Sequence, residues 1–103
     1  MLINQYCYVG GESAKGRYHA HKVKISGFEF SPKELTVNIG DRVIWLNEDI
    51  TPHNIIISTT GKRITPDLSS TESATYTITQ SINYQCGLHP SMVGKILINK
   101  NIQ

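Results

Sequence analysis

From His21 onward the chain is a series of short stretches in which apolar and polar residues alternate, each broken by turn-forming residues. No stretch repeats its apolar residues at helical spacing, and Val, Ile, Thr and Tyr dominate the periodic parts. In "HKVKI", Val23 and Ile25 alternate with Lys22 and Lys24. "FEF" puts Phe28 and Phe30 on one side and stops at Ser31-Pro32. "ELTVNI" aligns Leu35, Val37 and Ile39, and Gly40-Asp41 then turns the chain into "RVIWLN", where Val43 and Trp45 share a face. "NIIIS" over 54–58, "SATYTIT" over 73–79, "INYQC" and "GKILIN" complete the set. Seven or eight such strands predict an all-β domain, a two-sheet antiparallel Greek-key β-sandwich. Residues 1–18 are rich in Gly and small polar residues without a sustained period; they read as an arm ahead of a single domain over 19–103.

Chemistry concentrates near the C-terminal end, in "YQCGLHPSMVGKILI". Cys86 closes a strand, and His89 and Met92 follow at intervals of three before the next strand begins. A buried Cys, a surface His and a core Met that merely lie close would be spelled the same way. A second histidine tilts the balance. His53 stands in "EDITPHNIII", between a proline and an apolar strand, so it too belongs at a strand end. Two imidazoles, a thiolate and a weak thioether form the donor set of a type 1 copper site. Zinc usually takes four strong ligands, and Met is a poor one. If Cys86 holds no metal, it is free to pair with Cys7.

The stretch from His21 to Ile98 resembles the cupredoxins, type 1 blue copper proteins, and within them the plastocyanin and amicyanin members. The residues that carry the resemblance are the Phe-x-Phe-x-Pro pattern at 28–32, Gly-Asp-x-Val-x-Trp at 40–45, "PHNIII" at 52–57 and "CGLHPSM" at 86–92. The last has the short ligand loop of amicyanins. The resemblance implies a cupredoxin-like sandwich with His53, Cys86, His89 and Met92 as ligands to one copper ion. It implies that Asn54 braces the ligand loop from outside the coordination shell, and that His89 is the port through which electrons pass. Pro52, Leu88 and Pro90 would surround that port with a small apolar docking patch. Some positions depart from the family pattern: Leu88 replaces a proline, Gly87 a Ser or Thr, Ser91 a bulky residue and Ile82 an aromatic. Unlike a proline, Leu88 keeps an N–H that can donate to the Cys86 sulfur.

The implied function is single-electron shuttling between a redox donor and acceptor by Cu(II)/Cu(I) cycling, through transient contacts and without enzymatic turnover. The alternative is a copper carrier or buffer of the cell envelope that hands on the metal itself; the chain has no Met-rich or His-rich tract to favour it. Composition narrows the partners. Ten Lys and Arg against eight Asp and Glu give a formal charge of +2, too weak and scattered for a nucleic-acid binder. No apolar run approaches the roughly 20 residues that span a bilayer. The start "MLINQYCYVGG" lacks the apolar stretch of about 7–15 residues found in a secretory leader. The expectation is a monomer, periplasmic or otherwise exported, whose leader is absent from this chain. His19-Ala20-His21 admits a second metal reading, against the simpler one of a polar start to a strand.

Overall fold

The computed structural model describes residues 18–100. Eight strands build it: β1 (Ala20–Ser26), β2 (Glu29–Ser31), β3 (Glu34–Val37), β4 (Arg42–Asn47), β5 (Ile56–Ile57), β6 (Ser73–Thr77), β7 (Ile82–Gln85) and β8 (Val93–Ile98). They form two four-stranded sheets, in the orders β2-β1-β4-β6 and β3-β8-β7-β5. The sandwich is the expected one, with one refinement: two of its pairings are parallel. β1 runs parallel to β4, with Val23 opposite Trp45, and β3 runs parallel to β8, with Leu35 opposite Ile96. A parallel neighbour cannot be reached by a tight turn, so each of these pairs is joined by a longer excursion of chain. No helix among the described residues is long and apolar enough to cross a membrane.

The alternation read in the sequence sorts the side chains correctly in the long strands. Val23 and Ile25 of β1, Val43 and Trp45 of β4, Ile82 and Tyr84 of β7 and Ile96 of β8 all point into the core. Three aromatic rings anchor its centre: Tyr84 meets Trp45 edge-on with centroids 5.3 Å apart, and Phe30 at 4.8 Å. Gly94 lies directly opposite Tyr84 in the ladder, and the Tyr84 ring fills the space into which a side chain at that position would project. Cys86 and Met92 continue the same core toward one pole.

Three sequence expectations shift at the strand ends. Phe28 does not share a face with Phe30: β2 begins at Glu29, and Phe28 sits in the preceding turn at φ 60°, with its ring 45% exposed. Ile39 lies past the end of β3 and is exposed. The run 54–58 is strand only at Ile56–Ile57, because the chain before it is occupied with the pole described below. Of the arm expected over 1–18, only Tyr18 falls among the described residues; its ring covers Gly40, a left-handed position at φ 96°. Cys7 lies outside them.

Candidate metal centre

β7 delivers Cys86 to one pole of the sandwich. The chain then folds back through three backbone hydrogen bonds: His89 N–H donates to Cys86 O at 3.3 Å, Met92 N–H to His89 O at 2.9 Å, and Cys86 N–H to Met92 O at 3.0 Å. These consecutive closures turn a seven-residue loop into a compact turn that holds the backbone of Cys86, His89 and Met92 close together. Met92 ends the loop, only 4% exposed, where β8 begins.

His53 arrives from the other side and is fully buried. Its backbone is clamped to Leu68, with His53 N–H donating to Leu68 O and Leu68 N–H to His53 O. The buried Asn47 secures the loop leading to it: its amide donates to Thr51 O and Leu68 O, both at 2.9 Å, and its Oδ1 accepts Asp49 N–H at 2.8 Å.

These two supports bring three donors together. Cys86 Sγ lies 3.5 Å from His53 Nδ1 and 3.6 Å from His89 Nδ1. The three ligand atoms all fall within 4.8 Å of one another, the only such group among the described residues that could hold a metal ion. His53 and Cys86 are buried and His89 is half-buried, so the site is closed on the protein side and approaches solvent through His89. Pro52, Leu88 and Pro90 are exposed beside it.

The tautomer of His53 is set by its outer nitrogen. Nε2 lies 2.9 Å from Asp49 Oδ2. An ionised carboxylate only accepts, so Nε2 carries the proton and the Nδ1 lone pair faces the sulfur, the arrangement a metal-ligating histidine needs. Asp49 is suited to the task. Burial works to raise its pKa, but the N–H groups of Phe28 and Gly27 and the His53 ring outweigh it, and the net shift is downward.

Asp49 and Phe28 were not singled out by the sequence. The Phe28 ring packs edge-on against both histidines, 5.2 Å from His53 and 4.9 Å from His89. Asp49 stands four residues before His53, which is a usable signal. Phe28 belongs to the Phe-x-Phe-x-Pro pattern, but that pattern gave no sign of a place at the site, because there it alternates with Phe30 like any strand residue. The departure at Gly87 also finds its reason here. Asn54 Oδ1 accepts Gly87 N–H at 2.7 Å, and a Cβ on Gly87 would come within 2.6 Å of that oxygen. At Ser91 a cleft of about 420 Å³ opens beside the loop, lined by Phe28, Phe30, Lys33 and Met92 among others. Among the described residues, His19 and His21 fall in no group of three potential metal donors. His21 Nε2 pairs with Asp41 at 2.9 Å, which also accepts His19 N–H.

With this geometry in place, the family comparison decides the matter: the sequence model of copper-binding proteins of the plastocyanin/azurin family matches residues 18–99. The chain belongs to that family. Among its relatives, the amicyanin of Paracoccus denitrificans is 29% identical over 82 residues, covering 74% of this chain and 63% of that protein. Amicyanin-alpha of Methylorubrum extorquens is 27% identical over 84 residues, covering 75% and 70%. A solved amicyanin variant in its Cu(I) form superposes with a TM-score of 0.71 at 27% identity, covering 78% of this chain and 82% of that one. The chain thus spans under two thirds of the length of the Paracoccus denitrificans protein. A plastocyanin/azurin-type copper protein needs nitrogen and sulfur donors converging on one point, and the buried thiol with two imidazole Nδ1 atoms is such a set.

Proposed function

We propose that this protein is a small single-electron carrier in which His53, Cys86, His89 and Met92 hold one type 1 copper ion. The observation that carries the reading is the convergence of both Nδ1 atoms on the Cys86 sulfur at 3.5 and 3.6 Å within a buried, braced pole. When bound, copper supplies a one-electron couple between Cu(II) and Cu(I). The chain supplies the rest. Asp49 holds the proton on His53 Nε2, Asn54 holds the backbone next to Cys86, and the short loop fixes the spacing of Cys86, His89 and Met92. Cu(I) favours sulfur and few ligands, whereas Cu(II) favours nitrogen and more of them. A donor set fixed between the two preferences lets the charge change with little movement of the protein.

Half-buried His89, ringed by exposed Pro52, Leu88 and Pro90, is the proposed electron port and docking patch. A patch of that size suits brief encounters with a redox donor and acceptor, since electron-transfer contacts lie at the small end of interface sizes. Among the described residues the hydrogen-bond contacts of the Cys86 sulfur are to His53 and His89 Nδ1; the backbone donor expected of Leu88 makes none with it. The same reading makes the protein a monomeric carrier, not an enzyme, working outside the cytosol, where thiol reductants do not compete for copper. The full burial of His53 and Cys86 favours retaining the metal over handing it on.

Adding Cu(II) to the purified protein tests this. The expected outcome is an intense thiolate-to-copper absorption band in the visible, abolished by Cys86→Ser. A colourless copper complex of the wild type would sink the reading.

A further inference from the structure

Gly87 follows Cys86 directly, so the peptide between them sets how the thiol is aimed. Its N–H donates to Asn54 Oδ1 at 2.7 Å. The other end of the same amide is also engaged: Asn54 Nδ2 donates to Asp67 Oδ1 at 2.9 Å. Asn54 is only 2% exposed, so both ends of its amide are satisfied inside the protein. The two partners also leave no ambiguity about which way the amide faces. A backbone N–H can only donate and an ionised carboxylate can only accept, so the oxygen must face Gly87 and the nitrogen Asp67.

Asp67 is placed by the fold and not by chance rotation of an exposed loop. The backbone around it is laced to the His53 segment on both sides: Leu68 exchanges two hydrogen bonds with His53, Thr65 Oγ1 accepts Ile55 N–H at 3.0 Å, and Ile64 N–H donates to Ile55 O at 2.9 Å. The carboxylate is therefore preset opposite Asn54. Arg63 lies 3.5 Å from the same Oδ1, but that pair is more than half exposed on each side and contributes little.

From this geometry we infer that Asp67 is a positioning residue for the metal centre, acting through Asn54 on the Gly87 N–H and so on the direction of the Cys86 thiol. The inference rests on the proposed copper reading, and it adds a fixed outer anchor to the site. The glycine is part of the same device. A Cβ at position 87 would come within 2.6 Å of the Asn54 oxygen, so a side chain there would require the anchored amide to shift.

Asp67→Ala removes the acceptor, while Asp67→Asn retains a carbonyl oxygen that can replace it. Asp67 is 55% exposed, so both variants are expected to fold, and thermal unfolding verifies that they do. Two measurements are made on each. In the copper-free protein, exchange of the Gly87 amide hydrogen is followed by NMR. In the copper-loaded protein, the reduction potential is measured. Asp67→Ala should speed Gly87 exchange about fivefold, the weight of roughly one net hydrogen bond. It should also lower the potential, because a loosened thiol lets Cu(II) settle toward its own preferred geometry. Asp67→Asn should stay near the wild type in both. The inference is overturned if Asp67→Ala changes neither quantity, if exchange rises while the potential holds, or if Asp67→Asn fails as fully as Asp67→Ala. Failure of the copper reading itself would look different: the wild type would form no coloured complex, while the exchange comparison in the copper-free protein would still report on the anchor.

Discussion

Asp49 shows how much one side chain can organise. Its carboxylate accepts the N–H groups of Gly27 and Phe28 at 2.7 and 3.0 Å and the His53 ring at 2.9 Å. It therefore ties the turn that presents the Phe28 ring to the histidine that ring packs against. Removing it would free the His53 tautomer and release a turn held at two left-handed positions, Gly27 and Phe28. Asp49→Ala is expected to weaken copper binding about 10- to 100-fold, the usual consequence of losing the outer partner of a ligating histidine. Competition with a copper chelator of known affinity measures it. Unchanged affinity would mean that packing alone orients His53.

Two contacts between elements carry predictions of their own. Gly94 of β8 faces Tyr84 of β7, whose phenol is buried deeply enough to push its pKa up to about 12. Gly94→Ala would place a methyl group where that ring lies. Overpacking of this kind costs about 1–3 kcal/mol, so the denaturant midpoint should fall at an unchanged slope. A midpoint like the wild type's would show that the ring has room to move. Buried Asp41, for its part, joins the start of β1 to the turn before β4. It accepts His19 N–H at 3.0 Å, the His21 ring at 2.9 Å and Asn38 N–H at 3.1 Å. Burial alone would raise its pKa, but these three bonds prevail and hold it below the ordinary carboxylate value. The folded state therefore binds this proton less readily than the unfolded chain. The stabilisation is fully present above the ordinary carboxylate pKa and disappears as pH falls through the depressed one. Stability of the wild type should thus drop in that acid range, and Asp41→Asn should flatten this part of the profile. An equally steep fall in the variant would assign the acid sensitivity to other carboxylates.

At the scale of the whole molecule, copper binding is expected to be coupled to folding, because the three convergent donors come together only in the folded chain. Saturating Cu(II) should raise the melting temperature of the wild type, with a much smaller rise for Cys86→Ser; equal rises would locate the binding elsewhere. Much of this architecture was legible in the residues themselves. A side-chain period of two places Val23, Ile25, Val43, Trp45 and Tyr84 inward whatever the neighbouring strand is, so the all-β class and most of the core follow from local alternation. The spacing of Cys86, His89 and Met92 is likewise a local property, since so short a loop cannot scatter its side chains. Other features depended on which strands become neighbours. The parallel pairings of β1 with β4 and β3 with β8 leave no mark in the alternation, because that period is the same in both directions. The turn that moves Phe28 off its strand face is held by Asp49, 21 residues further along, and Asn54 faces Asp67 only because residues 64–68 run beside 53–55. Local sequence determined which residues are candidate donors and which face the core. The outer hydrogen bonds that orient those donors join segments distant in the chain, so only the tertiary structure could decide them.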